Sequence, residues 1–174
     1  RTPTNNKLRL VKVELDSASP KADYKDRGLG DTDLHLLSVW IKHVVSFTDK
    51  STGGGGQTRL ALKHLDISGN PIQQMGAEAL AEVIPGSQLV DITLGMAHKP
   101  VKCDINNETC VSLDFKSKQL KPPHATILCA AMGTNPNLVT VNLLRNEFGK
   151  SIDAVIESLE QKCKQLRTVS GIVP

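Results

Sequence analysis

The stretch Leu62-Lys-His-Leu65-Asp-Ile67-Ser-Gly-Asn70-Pro-Ile72 carries the clearest pattern in this sequence, because alternating apolar residues give way to a turn. The alternation in Leu65-Asp-Ile67 predicts a short strand with one buried face. Asn70 stands where the chain leaves this strand, and its side chain offers both a donor and an acceptor to unpaired backbone groups. Residues 76–84 then place apolar side chains three and four positions apart, which predicts a helix. The stretch therefore predicts a unit of one strand followed by one helix.

The same unit returns along the chain. The strand residues Leu65 and Ile92 lie 27 positions apart, and Leu113 and Val141 lie 28 apart. One such unit is too small to bury its own apolar faces, so we expect the copies to stack. The predicted strands centre on Val13, Leu65, Ile92, Leu113, Val141 and Val169. The predicted helices span 31–46, 74–85, 122–133 and 149–163. The predicted core residues are Leu65, Ile67, Leu80, Leu113, Val141, Leu143 and Ile156.

This pattern resembles the leucine-rich repeat family in its 28-residue, ribonuclease-inhibitor-like form. The match is Leu62-x-x-Leu65-x-Ile67-x-x-Asn70-x-Ile72 followed by Gly76-Ala77-x-Ala79-Leu80-Ala81, with further copies up to Val169. The resemblance implies an α/β fold: a right-handed leucine-rich-repeat solenoid with parallel strands on its concave face and helices on its convex face. We expect a single domain over 1–174, with insertions at about 16–28, 47–59 and 95–110.

The insertions differ in character. The first is polar, and the Asp31 that follows it is expected to cap a helix. The second contains four consecutive glycines at 53–56 but lacks the Gly-Lys-Ser/Thr ending of a phosphate-binding loop. In the third, Val101 and Ile105 are expected to anchor a hairpin or loop.

The cysteines of the third insertion leave alternatives open. Cys103 and Cys110 are compatible with a disulfide bridge or with two free thiols, and we favour the thiols. A Cys/Cys/His metal site with His98 or His124 is a further alternative, although two cysteines at this spacing lack the second pair of a zinc site. Cys129, in the helix that follows, is expected to be a buried free thiol.

The composition narrows the classes of function. A net charge of +3 and 3% aromatic residues give little support for nucleic-acid binding. The most apolar run, 34–45, contains Lys42 and His43, so no membrane span is expected. No nucleophile with a base and no glycine-rich phosphate turn is recognisable. We therefore expect a non-enzymatic protein without a cofactor or metal, located inside the cell in the cytosol or an organelle.

The predicted function is protein–protein interaction or scaffolding. Polar residues at alternate strand positions should form one face for a basic or mixed partner, and the 95–110 insertion should stand at its rim. The candidate partner-binding residues are His64, Asp66, Asp91, Thr93, Ser112, Asp114, Thr140, Asn142, Lys99 and Lys102. The alternatives are an accessory structural subunit of a large, organellar assembly, or a regulator or inhibitor of an enzyme such as a GTPase or nuclease.

Overall fold

The computed structural model describes residues 20–46, 62–105 and 109–169 of the protein. In these ranges the strands are β1 (Lys21–Asp23), β2 (His64–Asp66), β3 (Asp91–Met96), β4 (Lys99–Asp104), β5 (Ser112–Asp114), β6 (Thr140–Asn142) and β7 (Thr168–Val169). The α-helices are α1 (Asp31–Ser46), α2 (Gln74–Val83), α3 (Pro122–Met132) and α4 (Ile152–Lys162). The predicted strand at Val13 and the predicted insertion at 47–59 lie outside the described residues.

The strands form two separate sheets. The first has the order β1-β2-β3-β4, in which β1, β2 and β3 are parallel and β4 is antiparallel to β3. The second has the order β5-β6-β7 and is parallel throughout. No ladder in the described part of the chain joins one sheet to the other.

The expected right-handed leucine-rich-repeat solenoid, with all its strands parallel on one concave face, is therefore wrong. The fold is a mixed α/β arrangement of two small sheets and helices. The departure arises in β3, where the chain runs on past Thr93 and through Gly95 (φ +88°), turns at Ala97 and His98, and returns as β4. An antiparallel strand thus lies in the predicted 95–110 insertion, at the place where the repeated unit has its helix.

The two predicted insertions within the described ranges are partly strand. The residues at 16–28 include β1, which pairs in parallel register with β2. The residues at 95–110 include β4, and here Val101 and Ile105 are buried as anchors of the hairpin, as predicted. Each of these two segments contributes a strand to the four-stranded sheet.

The helices lie close to their predicted positions. The helix α1 has its predicted bounds, although Asp31 does not cap it: the Asp31 Oδ1 accepts a hydrogen bond of 2.9 Å from the Gly76 N–H of α2. The helix α2 ends at Val83 and continues as a 3-10 turn over Ile84–Gly86, because Pro85 cannot donate to an α-helical hydrogen bond. A second 3-10 turn, Gly149–Ser151, precedes α4.

The core lies between the helices and the buried side of the sheets. Consecutive helices pack on one another, α1 on α2, α2 on α3 and α3 on α4. Of the predicted core residues, Leu65, Ile67, Leu80, Val141 and Leu143 are buried. Leu113 and Ile156 are only half-buried, since β5 is an edge strand and α4 is the last helix of the series.

Asn70 holds its turn, as predicted, and Asn146 does the same in the second sheet. The Asn70 Nδ2 donates to the carbonyl oxygens of Tyr24 (2.9 Å) and Ile67 (2.8 Å), and its Oδ1 accepts from the Leu29 N–H (2.8 Å). Asn146 makes the equivalent bonds one sheet further on, to Phe115, Leu143, Lys118 and Leu120. Each asparagine therefore joins its own turn to the turn of the preceding strand.

Candidate functional site

The four-stranded sheet carries one polar face, which we call the acidic face. Its residues form two rows across the strands, because partners in register point the same way. One row is Lys21, His64, Asp91 and Asp104, and the other is Asp23, Asp66, Thr93 and Lys102. Between the rows, Leu65, Ile92 and Cys103 point into the core. The face thus carries four aspartates against two lysines and one histidine.

Asp91 is the centre of an ion-pair cluster on this face. Its Oδ2 lies 2.7 Å from the His64 Nδ1 and 3.2 Å from the Lys102 Nζ, while its own side chain is only 9% exposed. Lys102 also lies 3.8 Å from the Asp104 Oδ1. The hydrogen bond to Asp91 and the negative charge of Asp91 raise the pKa of Lys102 above its usual value. Asp91 is therefore an internal partner, neutralised by its neighbours, more than a contact point for another molecule.

Asp66 and Asp23 also stabilise the turns at the ends of their strands. The Asp66 Oδ1 accepts from the backbone N–H and the hydroxyl of Ser68, at 2.9 and 2.7 Å. The Asp23 Oδ1 accepts from the Lys25 N–H at 3.0 Å. Each aspartate thereby closes a turn two residues long while its carboxylate stays on the polar side of the sheet.

The same turn recurs in the second sheet at two of the predicted site residues. The Asp114 Oδ1 accepts from the Lys116 N–H at 3.0 Å, and the Asn142 Oδ1 accepts from the Leu144 N–H at 3.1 Å. Thr93 occupies the matching position of β3, and there the strand continues. An Asp or Asn at the third strand position is thus the sequence signal for leaving the sheet.

The predicted partner-binding residues are divided between the two sheets. His64, Asp66, Asp91, Thr93 and Lys102 lie together on the acidic face. The remaining strand residues, Ser112, Asp114, Thr140 and Asn142, lie on the three-stranded sheet. There the Thr140 hydroxyl donates to the Ser112 hydroxyl at 2.7 Å. In the described part of the chain, these residues therefore belong to two sheets that no strand ladder joins.

Lys99 stands apart from the others. It begins β4 at the tip of the hairpin, where it is exposed and pairs in register with Met96. Lys102 was placed in the same predicted loop, but it lies within the strand and on the acidic face. The two lysines therefore have different surroundings.

Three residues of the acidic face are absent from the sequence-based prediction: Lys21, Asp23 and Asp104. A signal for the first two is present, since Lys21-Ala-Asp-Tyr24 has the same polar–apolar order as His64-Leu-Asp-Ile67. Only one apolar residue, Ala22, precedes Tyr24 in this stretch, and the residues around it are polar. The alternation is therefore too short to predict a strand. Asp104 reaches the face only through the hairpin, whose register the sequence does not specify.

The acidic face contains a shallow depression of about 390 Å³. It is lined by residues of both rows, among them Lys21, His64, Asp66 and Lys102. A carboxylate that orients an imidazole, as Asp91 does for His64, also occurs in hydrolytic triads, but the lining of this depression includes no serine or cysteine nucleophile. The arrangement is suited to ion pairing with a bound molecule.

The cysteines are separate thiols in the described structure. Burial raises the pKa of the Cys103 thiol, and it raises the pKa of Cys129 to about 11, so both are protonated at neutral pH. Cys129 is the buried free thiol that was predicted. Within the ranges that the structure covers, no three His, Cys, Asp or Glu side chains are gathered as they would be around a metal ion. The described helices are also too short or too polar to cross a membrane.

The chain was compared with protein-family models and with curated proteins. No protein-family model matches the chain, and the search of curated proteins finds no match.

Proposed function

We propose that this chain is a non-enzymatic binding module whose acidic face takes a basic segment of another protein. The observation that supports the proposal is a reversal of charge: the chain carries a net +3, while this face carries four aspartates against two lysines. Opposite charge on the partner raises its rate of association and selects against acidic competitors.

The geometry of the face suits a preformed binding surface. The strands hold its side chains in fixed register, and the turn bonds of Asp23 and Asp66 fix the direction of both carboxylates before any partner arrives. Little side-chain freedom is then lost on binding, which preserves affinity. Lysine or arginine side chains of the partner would pair with these carboxylates, and Asp91 would stay with His64 and Lys102.

The test replaces the two carboxylates by amides in a double variant, Asp23→Asn with Asp66→Asn. Asparagine keeps the Oδ1 acceptor that closes each turn, so the charge changes while the turn is preserved. We expect a fluorescein-labelled Lys/Arg-rich peptide to bind the unaltered chain, and to bind the double variant at least about tenfold more weakly by fluorescence anisotropy. Added salt should weaken the first interaction more than the second.

Asp114→Asn is the matched control, because it removes one carboxylate from the same kind of turn in the other sheet. It should leave peptide affinity within about twofold of the unaltered chain. Asp91 is unsuitable as a test residue, since removing it would leave His64 and Lys102 without their shared partner and would perturb the fold. Equal affinity of the double variant, or equal binding of a Glu-rich peptide, would contradict the proposal.

The accessory-subunit and enzyme-regulator alternatives stay predictions, as does the intracellular location. Each would place a protein on the same surface, and neither is favoured over the other by a particular contact.

A further inference from the structure

A second cavity, of about 340 Å³, lies away from the acidic face. It is bounded by the turns that follow β1 and β2, by the tip of the β3–β4 hairpin and by the start of α3. The turns are ordered by backbone hydrogen bonds, from the Asp26 N–H to the Ser68 oxygen and from the Gly69 N–H to the Gly95 oxygen. The cavity therefore spans the three parallel strands and ends at α3.

His124 is a buried histidine that lines this cavity. The residue is only 5% exposed and lines the cavity, and its Nδ1 accepts a hydrogen bond of 3.0 Å from the Lys121 N–H. A neutral imidazole that accepts at Nδ1 carries its proton on Nε2. Burial and the charge of Lys121 lower the pKa of His124 to about 4, so this neutral form is the one present at neutral pH. Among the described residues, none accepts a hydrogen bond from the His124 Nε2–H.

The charged groups of the lining belong to two different elements. Lys121 stands beside His124 at the start of α3, and Asp26 belongs to the turn after β1. The carboxylate of Asp26 lies over Gly69, whose φ of +74° and lack of a Cβ leave room for it. Apolar side chains, Ile72 and Met96, line the cavity as well. A donor with a positive charge and an acceptor with a negative charge thus share one partly apolar cavity.

We propose that this cavity binds a free amino acid with an apolar side chain. The ligand's carboxylate would accept from the His124 Nε2–H and pair with the Lys121 ammonium, and its ammonium group would pair with Asp26. Its side chain would pack on Ile72 and Met96. A zwitterion fits better than a simple anion, because an anion would leave the Asp26 carboxylate facing it unpaired. No residue of the acidic face takes part, so this site and the proposed function can fail independently.

The test is calorimetric titration of the whole chain with L-leucine, N-acetyl-leucine and leucinamide. The two derivatives each lack one of the ligand's charges. We expect saturable binding of leucine, and at least roughly tenfold weaker binding of each derivative. Asp26→Asn should weaken the binding of leucine to a similar degree without weakening that of N-acetyl-leucine, since N-acetyl-leucine presents no ammonium group to that carboxylate.

A second variant and a control complete the experiment. In His124→Asn the amide oxygen can still accept from the Lys121 N–H, while the donor at Nε2 is lost; the binding of leucine should weaken and a thermal melt should show a folded chain. Glu160→Gln, on the exposed side of α4, should bind leucine normally. The absence of saturable leucine binding, equal binding of all three compounds, or undiminished binding by Asp26→Asn would each overturn the proposal.

Discussion

At the scale of single residues, Asn70 shows how much one side chain can hold. It is 8% exposed and bonds to the backbone of Tyr24, Leu29 and Ile67. Asn70→Ala would leave these buried groups without partners, which costs about 1–3 kcal/mol for each such group. Because the costs of the separate groups do not simply add, we expect the free energy of unfolding to fall by about 2–4 kcal/mol in urea titrations. Gln165→Ala, at an exposed position, should change it by less than about 0.5 kcal/mol.

Asn70→Asp separates the acceptor function of this side chain from its donor function. Aspartate retains the oxygen that accepts from the Leu29 N–H but cannot donate to the two carbonyl oxygens. The variant should therefore also be destabilised. If both Asn70 variants unfolded at the same urea concentration as the unaltered chain, the turn would not depend on this side chain.

His124 makes stability depend on pH over a defined window. Its pKa is lowered to about 4 in the folded chain, against 6.5 for an ordinary histidine. Between these values the unfolded chain binds a proton that the folded chain does not, so the free energy of unfolding falls as the pH falls from about 6.5 to about 4. This contribution is fully present above pH 6.5, and its loss amounts to about 3 kcal/mol at the lower end.

The measurement is urea unfolding at several pH values, for the unaltered chain and for His124→Asn. The other ionisable groups, including Asp26 and His98 of the same cavity, are identical in both proteins, so the difference between the two curves isolates residue 124. The variant should show the flatter dependence. Parallel curves would mean that His124 is not held neutral by its surroundings.

At the scale of elements, the β3–β4 hairpin depends on a glycine. Gly95 has φ +88°, and the nearest atoms to an added Cβ would be 3.5 Å away, so the conformation and not crowding is the obstacle to a side chain. We expect Gly95→Ala to lower the free energy of unfolding by about 1–2 kcal/mol in chemical denaturation. Gly86→Ala, where an added Cβ meets nothing within 4 Å, should be close to neutral. Two equal effects would argue that β3 is not under conformational constraint at Gly95.

At the same scale, local patterns predicted the helices and a hairpin or loop at 95–110, but they did not predict that β4 would extend the sheet. The bounds of α1 follow from the spacing of Leu34, Leu37 and Ile41, which is read over a single helix. The end of β2 and the continuation of β3 depend instead on one residue, Asp66 against Thr93. Both are ordinary polar residues at the end of an alternating run. Only the bond from Asp66 to the following turn shows which of them ends the strand.

The candidate site was predictable to the extent that it follows from strand alternation. His64, Asp91 and Lys102 were all anticipated as surface residues, but their mutual contacts arise from register between strands, which is a tertiary property. The predicted face is divided between two sheets because β4 ends the first one, and local patterns did not predict that strand. The resemblance to leucine-rich repeats stays a prediction about the repeated unit, and it misled where it was extended to the whole sheet.

At the scale of the whole molecule, packing between helices connects the two sheets. The helix α2 packs on α3, and the Gln74 Nε2 donates to the Thr126 hydroxyl at 3.1 Å between them. Because this helical packing spans both sheets, we expect them to unfold together. The single tryptophan, Trp40 in α1, reports on the end of the molecule that holds the four-stranded sheet.

The test of this coupling is a substitution in the other sheet's half. Leu143→Ala, at a buried position after β6, should cost about 2–5 kcal/mol and shift the denaturation midpoint seen by Trp40 fluorescence as much as that seen by far-UV circular dichroism. Leu144→Ala, where the side chain is 45% exposed, should shift neither by much. A Trp40 transition that ignores Leu143→Ala would mean that the halves unfold separately.

The interruption after β4 also sets how the molecule would respond to mechanical load. A pull directed along the series of helices would meet strand ladders within each sheet, but at the boundary between sheets it would meet apolar side chains of α2 and α3. Such side chains separate gradually, whereas each ladder, pulled across its strands, is held by directional hydrogen bonds. The boundary is therefore the compliant joint of the molecule, and extension under force should begin there.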